Sequence, residues 1–166
     1  MIKKNGFTLI ELLIVIAIIG LILGIGFTYF SSGKTYLKKD VRVLYNYLLY
    51  MRLKAVQLNS RTYIEYDLTN NGYSLYYDNG SIVKSVLLSN KVEFGDGGHS
   101  TLSNHKVAFG STNPPKSYFY PDGTCSPSGS IYLQEKNNNS AVYKITVNLA
   151  GYVTISLWNG STFEAY

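Results

Sequence analysis

A chain of 166 residues has room for one globular domain plus an appended segment, and not for two ordinary domains. Fifteen basic against ten acidic side chains give a net charge of +5, too mild to demand an acidic partner, and a single cysteine, Cys125, excludes an intramolecular disulfide and a cysteine-rich metal centre. The mean hydropathy of zero averages a very apolar N-terminus with a polar body rich in tyrosine and glycine.

Between residues 7 and 30 the only formal charge is Glu11, and residues 12–27 are all apolar or glycine. A helix needs about 20 such residues to cross a bilayer. Two readings compete, a cleaved secretory signal peptide and a lasting membrane span. A signal peptide carries its small-residue cleavage site after the apolar region, and no such A-x-A-like site follows Phe27; Ser31, Ser32 and Gly33 are the nearest small residues. Glu11 is an acid near the start of the apolar run, where an ionised carboxylate costs about 2.5–3.5 kcal/mol and calls for a partner. Directly before Phe7 stand Lys3, Lys4, Asn5 and Gly6, a positive flank for the cytoplasmic side followed by a residue with no side chain.

The run Lys3-Lys4-Asn5-Gly6-Phe7-Thr8-Leu9-Ile10-Glu11-Leu12 resembles the prepilin signature of type IV pilins and type II secretion pseudopilins. The resemblance implies cleavage of the Gly6–Phe7 bond by a membrane prepilin peptidase and N-methylation of Phe7. It implies assembly through Glu11 with other pilin or pseudopilin subunits and with the inner-membrane assembly platform. On a helix rising 1.5 Å per residue, the new α-amine of Phe7 and the Glu11 carboxylate lie about 6 Å apart along the axis, so a pair within one chain or between neighbours is geometrically open. The resemblance favours the neighbour.

Beyond the apolar run, Leu37, Val41, Leu44, Leu48, Met51, Ala55 and Leu58 recur at spacings of four and three, the stripe of an amphipathic helix. One long helix is expected to continue to about Asn59. Its other face carries Lys38, Lys39, Asp40, Arg42, Asn46, Arg52 and Lys54, read as solvated. Gly20, Gly24 and Gly26 each weaken the helix by about 1 kcal/mol relative to Ala, leaving room for local bending or melting, and Gly20 with Gly24 has the spacing of membrane helix packing.

From Arg61 the period becomes two. Strands are expected over 62–68, 73–78, 82–88, 92–94, 106–109, 118–120, 130–135, 142–148 and 152–157, with turns at Asn70-Asn71-Gly72 and Asn79-Gly80. Trp158 is expected to help close the core. The segments Leu48–Ala55 into Arg61-Thr62-Tyr63-Ile64, Tyr118-Phe119-Tyr120-Pro121-Asp122-Gly123, and Tyr143–Val147 before Ala150-Gly151-Tyr152-Val153 resemble the H-type minor pseudopilin and T-type minor pilin domain. The implied fold is α+β, a pilin fold with a long N-terminal helix on an antiparallel β domain. Residues 1–6 form the leader, 7–30 the membrane and assembly half of the helix, 31–60 its amphipathic half, and 61–166 the β domain. Tyr152 stands where relatives often carry a basic residue.

No constellation for catalysis emerges, so the chain is read as a non-enzyme. His99 and His105 have only Asp96 nearby, short of the ligands a metal centre needs, and are read as solvated loop side chains. Gly95-Asp96-Gly97-Gly98 lacks the lysine and helix of a phosphate loop and is read as a flexible connection. Asp122-Gly123 after Pro121 is a β-turn. Cys125, among Gly, Ser and Pro, is read as a loop thiol without the base a nucleophile needs. No cofactor is expected. The functional expectation is a minor pilin or pseudopilin in the bacterial inner membrane, single-pass with its C-terminal domain outside the cytoplasm, then part of a filament. The alternative is a DNA-binding minor pilin of a competence pilus, for which the balanced charges after Gly110 are unfavourable; an adhesin is a third.

Overall fold

A computed structural model describes residues 8–30, 33–99 and 106–166. Helix α1 spans Leu9–Phe30 and helix α2 spans Gly33–Leu58. The expected leader, Phe7 and the helix junction at residues 31–32 lie outside the described residues. No melting interrupts α1, which is helical through Gly20, Gly24 and Gly26.

The apolar stripe of α2 organises the domain. Leu37, Val41, Leu44, Leu48, Met51 and Ala55 are all buried, the least covered of them only 1% exposed. Full burial of each large side chain among them contributes about 1.5–3 kcal/mol. Leu58, expected to complete the stripe, is instead 51% exposed. The reason is the helix end. Asn59 takes a left-handed φ of 46°, its N–H donates to the Val56 carbonyl at 3.3 Å, and the Ser60 N–H donates to the Ala55 carbonyl at 3.2 Å. Those two bonds form a Schellman cap, which turns the chain away from the core just where the stripe would have called for one more residue.

Among the described residues eleven strands follow in two antiparallel sheets. In chain order they are β1 (Thr62–Asp67), β2 (Gly72–Tyr77), β3 (Ile82–Leu87), β4 (Val92–Phe94), β5 (Val107–Phe109), β6 (Lys116–Phe119), β7 (Cys125–Ser126), β8 (Gly129–Glu135), β9 (Asn138–Val147), β10 (Val153–Trp158) and β11 (Phe163–Ala165). The first sheet runs β3-β2-β1-β6-β7; the second runs β11-β10-β9-β8-β4, with β5 paired to the other end of β8. Helix α2 packs on both sheets, and the core fills the space between the three layers. In β1 the alternation read from sequence holds: Thr62, Ile64 and Tyr66 face inward. The inward polar atoms have partners, the Thr62 hydroxyl donating to the Met51 carbonyl at 2.9 Å and the Tyr66 hydroxyl lying 3.0 Å from that of Ser117. Burial pushes the Tyr66 phenol well above its usual range.

Two residues assigned to the solvated face of α2 are structural. Asp40 is only 8% exposed, and its carboxylate accepts from the Ser89 N–H at 2.7 Å and hydroxyl at 3.0 Å. Those bonds satisfy a buried acid and tie α2 to the loop before β4. Arg52 donates from Nε to the Gly123 carbonyl at 2.9 Å and from Nη2 to the Ala150 carbonyl at 3.2 Å. One guanidinium thereby joins the turn after β6 in the first sheet to the turn before β10 in the second, and its planar fork suits two carbonyls at once. Replacing Arg52 with Ala is expected to lower stability by about 1–2 kcal/mol, at the low end for hydrogen bonds to a charged group because the site is partly exposed. An unchanged midpoint in urea unfolding would show that the clamp is idle.

Candidate functional site

The N-terminal end of α1 is built by Thr8 and Glu11. Leu12 donates the first helical hydrogen bond to the Thr8 carbonyl at 3.3 Å, which makes Thr8 the N-cap. The Glu11 N–H donates to Thr8 Oγ1 at 3.3 Å, and Glu11 Oε2 accepts from the Thr8 N–H at 3.0 Å and from its hydroxyl at 3.1 Å. This is a reciprocal capping box. Of the four donors a helix start leaves unpaired, one is satisfied by Thr8, and the carboxylate covers the N-cap amide. Glu11 therefore has a partner inside its own chain, one that the sequence reading missed although the pattern Thr-x-x-Glu before an apolar run carries it. Gly6 and Phe7, the other two residues singled out, lie outside the described residues.

Around this acid every large side chain is apolar and bare. Leu9, Ile10, Leu12, Leu13, Ile14, Val15, Ile16, Ile18, Ile19, Leu21 and Ile22 are between 46% and 78% exposed. A helix apolar all round belongs inside a bilayer or a protein interior, and so large an exposed apolar surface needs a cover. The side chains described here, through Ile22, cover about 20 Å of a hydrocarbon core about 30 Å thick. Among the described residues no helix is long and apolar enough to cross a membrane.

On the outer face of the first sheet Tyr63 stacks on Tyr76 at 4.8 Å and tilts against Tyr118 at 5.4 Å. Arg61 lies 5.0 Å from the Tyr118 ring and Lys116 5.3 Å from the Tyr63 ring. Both cations are matched, Arg61 to Asp78 and Lys116 to Glu65, each at 2.7 Å. Cross-strand aromatic and charge pairs of this kind hold a sheet together.

Several loop assignments change. Cys125 is not a loop thiol; it lies within β7, 1% exposed, and burial pushes its thiol up to about 12. A folded chain is expected to resist thiol alkylation at pH 8 and to react once denatured, which mass spectrometry reads directly. The unfolded thiol ionises near 8.5, so this group withdraws stability as the pH rises from about 8.5 toward 12. Trp158 does not close the core. It is half-buried at the rim, stacked 4.2 Å from His99 and 5.1 Å from Phe163, so His99 is packed on an aromatic ring instead of simply solvated. His105 lies outside the described residues. The glycine run is a bonded turn, with the Gly97 N–H donating to Gln134 Oε1 at 2.7 Å and the Gly98 N–H to Asp96 Oδ1 at 2.9 Å. The turn at Asp122 is as expected, the Gly123 N–H donating to the Tyr120 carbonyl at 2.9 Å. Hydrogen bonds from Thr124 hold the Asp122 carboxyl below its usual value. Tyr152 lies 5.2 Å under the Arg52 guanidinium, so the cation at this hairpin comes from α2. Among the described residues no three acidic, histidine or cysteine side chains gather as a metal site would need.

Residues 1–27 match the prokaryotic N-terminal methylation motif, and residues 40–151 match the type II transport protein GspH family. Among solved structures the fold is similar to the minor pseudopilin EpsH from the Type 2 Secretion System of Vibrio cholerae, at 11% identity and a TM-score of 0.56, covering 72% of this chain and 94% of that one. It is likewise similar to the type IV minor pilin FimU of Pseudomonas aeruginosa, at 15% identity and a TM-score of 0.56, covering 79% of this chain and 94% of that one. No curated protein sequence matches the chain.

Proposed function

Because the chain belongs to the type II transport protein GspH family, we propose that it is a minor pilin or pseudopilin of a type II secretion or type IV pilus filament. Prepilin peptidase cuts the Gly6–Phe7 bond, Phe7 is N-methylated, and residues 7–30 anchor the subunit in the bacterial inner membrane with residues 61–166 outside the cytoplasm. From there the assembly platform draws it into the filament beside other subunits.

The observation that carries this reading is α1, whose apolar side chains from Leu9 to Ile22 are bare on every side and whose one charge is an acid four residues beyond Phe7. Bilayer and filament interior are the two environments that cover such a helix without water. A carboxylate at its start suits both, since it caps the helix in the isolated subunit and meets a cationic α-amine in the assembly. A free α-amine titrates near about 7.7–8.0, so it is largely cationic at neutral pH.

Intact-mass analysis of the chain co-expressed with a prepilin peptidase tests the processing. The expected product begins at Phe7 and carries one added methyl group. A chain retaining Met1 to Gly6 beside an active peptidase would refute it.

A further inference from the structure

We infer that the first three turns of α2 form a basic face that rests on anionic phospholipid headgroups of the outer leaflet while the subunit waits in the membrane; this rests on the anchoring proposed above. Lys34, Lys38, Lys39 and Arg42 are all exposed. At 100° per residue they fall within about 140° of arc on one side of the helix. Lys38, Lys39 and Arg42 line a single surface groove with Thr35, Val43 and Asn46. The only acid of α2, Asp40, points inward to Ser89 and does not neutralise them. The Tyr166 phenol hydrogen-bonds with Lys38 and Arg42, its ring 5.8 Å from Lys38 Nζ, and the Glu135 carboxylate packs beside Gly33 at the start of α2. Four exposed cations against that one carboxylate leave the face positive.

Position selects the occupant. The four cations stand 4 to 12 residues after the end of α1 at Phe30, so whatever path joins the two helices they lie within about 25 Å of the end of the apolar segment. Long side chains reach several ångströms further toward phosphates. Cations this close to a span favour the cytoplasmic side, so on the exported side they work against the required orientation. Their concentration there is accounted for by a favourable contact, and juxtamembrane lysines and arginines bind anionic lipid with an energy that adds per residue.

The test uses the full chain in vesicles of phosphatidylcholine alone and of a two-to-one mixture with phosphatidylglycerol, labelled with a membrane-impermeant amine reagent and read by mass spectrometry. Labelling of Lys34, Lys38 and Lys39 is expected to slow about fivefold in the anionic vesicles and to recover in high salt, with Lys54 and Lys84 unchanged. In the Lys38→Gln/Arg42→Gln chain the protection of Lys34 and Lys39 should shrink. Equal labelling in both vesicles, with the chain floating in both, overturns the inference alone. A chain that fails to float with neutral vesicles overturns the anchoring and the inference with it. Protection that arises only once filaments form would assign the face to an acidic neighbouring subunit and end the lipid reading.

Discussion

Gly151→Ala is expected to destabilise the β domain by about 3–5 kcal/mol, roughly a fifth or more of the stability of an ordinary domain. Two costs coincide there. Gly151 has φ of 75°, a left-handed conformation that costs an alanine about 1–2 kcal/mol. A Cβ at this position would also run into the Gly123 carbonyl oxygen and stand 2.8 Å from Arg52 Nε. That carbonyl is the acceptor Arg52 holds, so relief of the clash breaks the clamp between the two sheets and forfeits charged hydrogen bonds. Gly80→Ala separates the two costs. Gly80 has a φ of 80° and nothing within 4 Å of its Cβ position, so it should lose only the conformational part, about 1–2 kcal/mol. Unfolding of both variants in urea, followed by Trp158 fluorescence, gives the comparison. Equal losses would show that the junction at Gly123 contributes nothing.

The long-period features were legible in the sequence because many residues repeat the same message. Six stripe positions of α2 and the alternation through β1 are each redundant, so one exception does not hide the pattern. The turns at Asn71 and Gly80 were equally readable, since a left-handed φ of 55° or 80° selects asparagine or glycine. What escaped depends on single contacts between residues far apart in the chain. Nothing near Asp40 announces Ser89, 49 residues on, and nothing near Arg52 announces Gly123 or Ala150. Both side chains therefore looked like ordinary members of a polar face. Strand β11, of three residues, goes unread although β4 of equal length does not, and β7, of two residues, is too short to show a period at all. Cys125 was misplaced for that reason, because its burial follows from β7 pairing with β6. Trp158 was misplaced because size and apolarity do not say whether a ring faces inward or lies along an edge. The site itself was half legible. Glu11 stands out as the lone charge of an apolar run, whereas Thr8 declares itself only through the Thr-x-x-Glu spacing at the helix start.

That partner changes what a mutation at Glu11 reports, and it sets the decisive variant. Glu11→Ala removes the charge and the carboxylate half of the capping box, while its backbone N–H still donates to Thr8 Oγ1. Thr8→Ala removes the hydroxyl and leaves the charge, at a capping cost of about 1 kcal/mol. Glu11→Gln retains an oxygen that can accept from the Thr8 N–H, so the cap survives while the charge is lost. If the carboxylate pairs with the methylated α-amine of a neighbouring Phe7, Gln must fail much as Ala does. Removing one partner of a desolvated ion pair costs about 3 kcal/mol or more, so incorporation into filaments should fall about a hundredfold in both Glu11 variants and only modestly in Thr8→Ala. Cleavage at Gly6 should continue in all three, since each keeps the Gly6–Phe7 bond and an apolar helix to present it. Immunoblots of sheared filaments against total membrane protein supply the ratio. A Glu11→Gln subunit that incorporates normally would reduce Glu11 to a helix cap, and the assembly contact would have to be sought among the apolar side chains of α1.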